Sequence, residues 1–392
     1  MNGPRILYLC SDEGIDLFGM RGCSTHLREM CWAFKSLGCD LRLLHATYRD
    51  AGLRPFGIEY DIVKPLRSKT IGYDLRKILT NRRIRRRLRA IIKEFKPDFI
   101  YERYDLYSTA AADVVSKAGM PYLLEVNAPL IEEQRNELHF RRLAGIYQKR
   151  IFGKASLLIG VSEEICAMLQ EISPGVERLV VENGVNEEAF NPSVSGAAIR
   201  NRFATDDSLI VGFIGSLKGW QGIGTLIRAA SLILPRRQDV RFLVIGGGNR
   251  LTEYRKLVEE LGLSGRFILT GPVPDNEIPA CIAAFDICVA PYEPMQNFYF
   301  SSIKLREYIA MRKPIVASDF PPIRKMLRHG EDGLLASPGD EIDLAAKLNQ
   351  LLDDSSLKER VAHSAYDRFA GRISWRSCAS RILDAAEQLR KK

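Results

Sequence analysis

Short apolar runs of strand length alternate with longer segments of helical periodicity along nearly the whole chain, in two successive series. Few folds accommodate that alternation. Strands separated by helices read as βαβ units, whose parallel sheets are covered on both faces. The candidate strands of the first series are 6–10, 40–45, 99–101, 122–126, 157–161 and 179–181; those of the second are 210–214, 241–245, 267–270, 287–290, 315–317 and 333–336. A polar stretch with a turn dipeptide at Asn183-Gly184 separates the two. A length of 392 residues suits two domains with a core each. The expectation is an α/β chain of two doubly wound domains facing a central cleft, residues 1–190 and 191–373. A closing helix over 374–392 has Trp375, Ile382, Leu383 and Ala386 on its apolar side. Ligands of such sheets bind beyond the carboxyl ends of the strands and at helix N-termini.

The segment Phe300–Ser318 carries the most chemistry. It reads as a polar loop, a helix of about ten residues stopped at Lys313-Pro314, and a buried β-branched strand. Ser301 and Ser302 stand where N-cap residues belong, so free backbone N–H groups and the positive end of the helix make an anion site. Lys304 adds a charge in the first turn, and Glu307, one turn on, can accept from hydroxyls. Two glycine loops support the same reading. After the first strand, Gly19, Arg21 and Gly22 precede a helix starting near Ser24, with His26 on the helix side, packed or functional. After the first strand of the second series come Gly215, Ser216 and Lys218. The run Gly246–Gly248 lacks the third glycine of a dinucleotide fingerprint, and no P-loop, nucleophile elbow, His-Glu-x-x-His or Asp-x-Asp occurs. Catalysis is therefore expected to rest on positioning and on stabilising a leaving group, with no metal and no cofactor.

The net charge is +9, and residues 1–180 hold 29 Lys/Arg against 22 Asp/Glu. Much of that surplus lies between Arg82 and Arg89, in an amphipathic helix whose apolar side is Ile84, Leu88, Ile91 and Phe95. The basic face reads either as a solvated helix surface or as a docking surface for anionic lipid headgroups. Nucleic acid is not expected, because no aromatic residues are interleaved with the arginines. The eight scattered cysteines, the lack of an eighteen-residue apolar run and a start leading straight into a strand predict a cytoplasmic protein, at most peripheral to the inner membrane face.

Taken together these segments resemble the GT-B glycosyltransferases of family 4, retaining enzymes that use nucleotide sugars. The likeness includes Val161–Glu163, Glu182–Val185 with Phe190, Val244–Gly248, Gly271–Val273, Phe285-Asp286 and Lys304–Ala310 followed by Pro314–Ser318. It implies two Rossmann-like domains, the first taking the acceptor and the second the nucleotide sugar, with the closing helix crossing back to the first. Glu307 would bind the ribose hydroxyls, the amides around Ser302 and Ile303 the diphosphate or sugar, Gly22 the phosphates, and Val273 would lie beside the base. Gly215 and Ser216 belong to the same donor site. This chain departs from the family pattern at four places: Tyr299 stands for an acidic residue, Ser216 for an arginine, Gln221 for a lysine and Asn127 for a histidine. Lys218 and Lys304 are candidates to replace the lost charge, and Glu125, Asn127, His26 and Arg21 to contact sugar or acceptor.

The function expected is transfer of a sugar from a UDP- or GDP-linked donor to an acceptor hydroxyl, with retention and without a metal. The acceptor would be a glycan, a lipid-linked sugar or a small molecule. A nucleotide-sugar epimerase or hydrolase on the same fold, or a non-catalytic nucleotide-sugar or glycan-binding protein, are the alternatives.

Overall fold

The computed structural model describes residues 3–19, 21–48, 55–68, 70–203 and 208–391. Met1 and Lys392, expected at the outer ends of the first domain and the closing helix, lie outside the described residues. Strand β1 (Arg5–Cys10) is fully buried beyond its first residue and is paired on both sides, Ile6 facing Leu41 and Phe99. The other strands of its sheet are β2 (Asp40–Ala46), β3 (Glu59–Val63), β4 (Phe99–Arg103), β5 (Tyr122–Val126), β6 (Leu157–Gly160) and β7 (Arg178–Val180). All pair in parallel, in the order β3-β2-β1-β4-β5-β6-β7. Helices α1 (Gly22–Ser36), α2 (Tyr73–Phe95), α3 (Ala110–Ala118), α4 (Leu130–Glu133), α5 (Arg141–Phe152) and α6 (Glu163–Ile172) connect them. Helix α1 starts at Gly22, a little ahead of the expected Ser24.

The second series repeats this plan. Its strands are β8 (Leu209–Ile214), β9 (Val240–Ile245), β10 (Phe267–Gly271), β11 (Ile287–Ala290), β12 (Ile315–Ser318) and β13 (Leu334–Ala336). They form a parallel sheet in the order β10-β9-β8-β11-β12-β13. The helices are α7 (Ala197–Phe203), α8 (Ile223–Ile233), α9 (Leu251–Glu260), α10 (Ile278–Ala284), α11 (Ile303–Ala310), α12 (Pro321–Met326), α13 (Glu341–Asp353) and α14 (Ser355–Phe369). In each sheet the strand order reverses beside its first strand, between β1 and β4 and between β8 and β11. That reversal is the place where such sheets leave a crevice for ligands.

The chain divides into two units with a core each: Met1–Asn183, Tyr299–Ser301 and Trp375–Lys392 form one, Gly184–Phe298 and Ser302–Ser374 the other. The last helix, α15 (Trp375–Lys391), packs along α1 in the first unit and buries Trp375, Cys378, Ala379, Ile382 and Ala386. The eight cysteines are free thiols. Among the described residues no helix is long and apolar enough to cross a membrane.

Candidate functional site

In the second unit, chemistry gathers where β8 ends and α11 begins. Ser302 caps α11, its Oγ accepting from the Leu305 amide at 3.4 Å and pairing with the Tyr292 hydroxyl at 2.8 Å. Its cap partner on paper, Ser301, has a different task. The Asn183 amide donates to its Oγ at 2.9 Å and the Asn183 side chain to its carbonyl at 2.7 Å, which holds Ser301 in the first unit. The first turn of an eight-residue helix thus begins behind Ser302, at the helix end where an anion is favoured.

Lys304 lies in that first turn and its ammonium is caged. It donates to the side-chain oxygen of buried Gln221, sits 3.9 Å from the centre of the Phe213 ring and 5.5 Å from that of Tyr292. Burial pulls its pKa down to about 7, with Glu307 opposing. Gly215 allows this approach: its φ is +146°, and a Cβ there would stand 2.9 Å from the Lys304 Nζ. Glu307 is buried one turn further along α11. Ser216 is partly exposed on the loop, whereas Lys218 is exposed. Val273 is buried just past the end of β10. Gly215, Lys304, Gln221 and Ser302 are therefore gathered around one helix terminus, with Lys218 reaching solvent nearby in sequence.

In the first unit the ends of β4 and β5 face α1. The Arg103 guanidinium donates to Nδ1 of His26 at 3.0 Å, and Nε2 of His26 lies 2.8 Å from Oε1 of Glu125. A guanidinium can only donate, so Nδ1 must accept and His26 is the neutral Nε2–H tautomer, donating to Glu125. Burial holds the imidazole pKa down against the pull of Glu125, in agreement with that tautomer. Burial pushes the Glu125 carboxyl up, but His26, Arg103 and Tyr101 together leave it below the usual range. The indole of Trp375, from α15, meets the His26 ring edge-on at 5.1 Å. Both nitrogens of His26 are thus engaged inside the protein. Asn127, at the end of the same strand as Glu125, keeps a buried side-chain amide with no hydrogen-bond partner among the described residues. A buried donor left open calls for a partner that the described residues do not supply, such as a water, an ion or a ligand. Arg21 and Gly22 are exposed at the start of α1, with Arg21 donating to the Gly14 carbonyl.

Tyr299, expected among the donor-site residues, belongs to the first unit. Its hydroxyl donates to Glu133 of α4 and its ring packs on the core of the first unit. Gln221, singled out in the sequence only as standing for a lysine, holds the Lys304 ammonium. Two groups had no signal in the sequence: Arg103, which fixes the His26 tautomer, and Glu102. The last is buried, accepts from Ser108 at 2.6 Å and from Tyr122 at 2.5 Å, and burial pushes its pKa up to about 8. Among the described residues no group of three or more His, Cys, Asp or Glu side chains is placed to hold a metal ion.

Two family models match this chain in tandem. The model of Glycosyltransferase Family 4 matches residues 20–189, and that of Glycosyl transferases group 1 matches residues 208–354. The chain belongs to the group 1 glycosyltransferases of family 4. Among relatives in this family, alpha-D-kanosaminyltransferase of Streptomyces kanamyceticus is 31% identical over 171 residues, covering 43% of each chain. D-inositol 3-phosphate glycosyltransferase of Thermobispora bispora is 30% identical over 218 residues, 53% of this chain and 50% of that one. The Stackebrandtia nassauensis enzyme of the same name is 27% identical over 307 residues, 74% of this chain and 67% of its own. The chain thus spans about half the length of the curated relatives it matches first. Among solved structures, Anabaena HepE in complex with UDP and glucose has a TM-score of 0.77 at 20% identity, covering 98% of this chain and 100% of the other. Sucrose-phosphate synthase from Thermosynechococcus elongatus has a TM-score of 0.75 at 19% identity, covering 98% and 99%. The fold is GT-B, with two Rossmann-like domains.

Proposed function

We propose that this chain is a retaining glycosyltransferase which moves a sugar from a nucleoside-diphosphate donor, UDP- or GDP-linked, to an acceptor hydroxyl. The observation that carries the reading is the Lys304 ammonium held at the amide end of α11, a built place for a diphosphate. Family membership and the UDP seen in Anabaena HepE support the same donor class. In the step proposed, the bond from the anomeric carbon to the diphosphate oxygen breaks as the acceptor oxygen bonds to that carbon on the same face. The acceptor proton passes to the departing diphosphate. Charge growing on the leaving group meets Lys304, Lys218 and the α11 amides, a preorganised arrangement of the kind that supplies most of such a barrier reduction. No metal ion is required by this reading.

Glu307 takes the ribose hydroxyls, and Val273 lies beside the base, with Gly215, Ser216, Ser302 and Ile303 lining the diphosphate. In the first unit, Asn127 offers its open amide to sugar or acceptor. Glu125 and His26 hold the end of β5 in shape, and Arg21 and Gly22 give a charge and an open helix start. A thermal-shift panel of UDP-, GDP-, ADP- and dTDP-sugars, followed by nucleotide release with and without acceptors, tests the proposal. A melting shift with one nucleotide and an α-configured product from an α-configured donor are expected. A flat panel, or an inverted product, would refute it.

A further inference from the structure

The 23-residue helix α2 sorts its seven arginines into two kinds. Arg76 pairs with Glu13 at 2.6 Å, Arg83 donates to the Lys64 carbonyl at 3.0 Å, Arg85 reaches Thr109 and Asp113, and Arg87 reaches Asp61. Arg82, Arg86 and Arg89 are exposed, as is Lys93, and none has an ion-pair or hydrogen-bond partner among the described residues. Their spacing of four, three and four residues puts all four cations on one stripe of the helix, and together they line a shallow groove.

The stripe does not stand alone. The position one heptad before Arg82 is Leu75, exposed on the same face. The start of α2 is tied to the segment before α5: Tyr73 donates to Gln134 at 2.7 Å, and the His139 amide to Asp74 at 3.0 Å. Asp113 of α3 receives both Arg85 of α2 and Arg150 of α5, so the three helices lie side by side over one sheet face. On α5, Arg142, Ile146 and Lys149 recur at helical spacing and are exposed. Phe140 and Ile146 are 62% and 64% exposed, the two most exposed large apolar side chains among the described residues of this unit. Cations in a row beside bare apolar side chains match the boundary of a bilayer, where anionic headgroups meet acyl chains. A nucleic acid would answer only the charge.

We propose that the basic stripe of α2, with Phe140 and Ile146 beside it, docks on the anionic headgroup surface of a lipid bilayer, the apolar side chains entering the interface. This rests on the surface of the first unit alone and is independent of the sugar-transfer reading. Each cation at an anionic leaflet strengthens binding about fivefold, so the four together supply about two to three orders of magnitude. The test is co-sedimentation of the full chain with vesicles of phosphatidylcholine alone and of phosphatidylcholine with phosphatidylglycerol. Pelleting with the mixed vesicles only, released by raised salt, is expected. A variant with Arg82→Gln, Arg86→Gln, Arg89→Gln and Lys93→Gln should bind at least a hundredfold more weakly with an unchanged melt. Phe140→Ser with Ile146→Ser should lower binding even at low salt. Equal pelleting with neutral vesicles, no pelleting with either, or tighter binding to single-stranded DNA than to mixed vesicles would overturn the proposal. The wild-type vesicle comparison decides it even if the fourfold variant fails to fold.

Discussion

With the diphosphate placed as proposed, the cage around Lys304 would make donor binding a proton-uptake reaction. In the free protein the ammonium titrates at about 7, because burial outweighs the help of Glu307. A diphosphate placed at the start of α11 would stand within a few ångströms of Nζ. At about 4 Å and an effective dielectric of about 20, one unit charge is worth about 4 kcal/mol, or about three pKa units. The bound-state pKa therefore returns to about 10. Between the two values, binding takes up one proton, and UDP affinity falls up to tenfold for each pH unit. From pH 7 to pH 9 the loss is about fiftyfold, with a plateau below about pH 6. Isothermal titration of UDP in buffers of different ionisation enthalpy measures both Kd and the proton count. Lys304→Met should bind UDP weakly at every pH and show no proton uptake. An affinity that stays flat from pH 7 to pH 9, or a slope that survives in Lys304→Met, would refute the placement of the diphosphate on this lysine. The same group has a stability signature without ligand. Its folded pKa lies below the unfolded value, so between about 7 and 10.4 only the unfolded chain holds the proton, and this contribution to stability grows with pH.

Glu102 has the opposite sign. Its folded pKa of about 8 lies above the unfolded one, so its contribution is complete below about pH 4 and is lost as pH rises through 8. Glu102→Gln should leave the melt unchanged at pH 5 and raise it by several degrees over wild type at pH 8.5, read by circular dichroism; the same difference at both pH values would contradict this. Asp332, buried between β12 and β13, accepts from Arg328, Ser364 and Arg368, which hold its carboxyl well below the usual range against the effect of burial. Asp332→Ala strands those donors and should lower stability in denaturant unfolding, a loss wild type shows only in strong acid. Gly222 has φ +72°, and an added Cβ would stand 1.4 Å from the Pro291 carbonyl oxygen. Gly222→Ala should displace the loop that holds Gln221 and weaken UDP binding at least tenfold, whereas an unchanged Kd would show that the loop does not frame the site.

The central strands were legible because a strand buried on both faces needs an unbroken apolar run, and β1, β8 and β9 have one. The strand that escaped was β3, Glu59–Val63. It lies on the sheet edge and is only half-buried, so its sequence mixes charge with apolar residues and shows no run. The cap at Ser302 was readable from local chemistry, since a hydroxyl before a helix has few other uses. What pairs across long sequence distances was not. His26 and Arg103 are separated by 77 residues, and only the pairing of β1 with β4 brings them together. Tyr299 sits amid the second series of strands, and nothing around it in the chain points to Glu133, the partner that draws it to the first unit.

One of the departures from the family pattern is explained by the side chain it meets. A glutamine stands at 221, where the family resemblance leads one to expect a lysine, and a lysine stands at 304. In the structure these side chains meet, the amide oxygen of Gln221 accepting from Nζ of Lys304. A positive charge brought by residue 221 would come from the loop before α8; here it comes instead from the first turn of α11, and its head ends at the tip of residue 221. A lysine at both places would set two ammonium groups in contact, in a site where burial alone already drives one of them toward neutrality. The glutamine is therefore the residue that a lysine at 304 demands: it fills the space, carries no charge, and presents an acceptor. The tyrosine behind them completes the fit, because its ring lies 5.5 Å from the ammonium while its hydroxyl holds the cap of α11. One side chain thus fixes both the charge and the helix end that a diphosphate would meet.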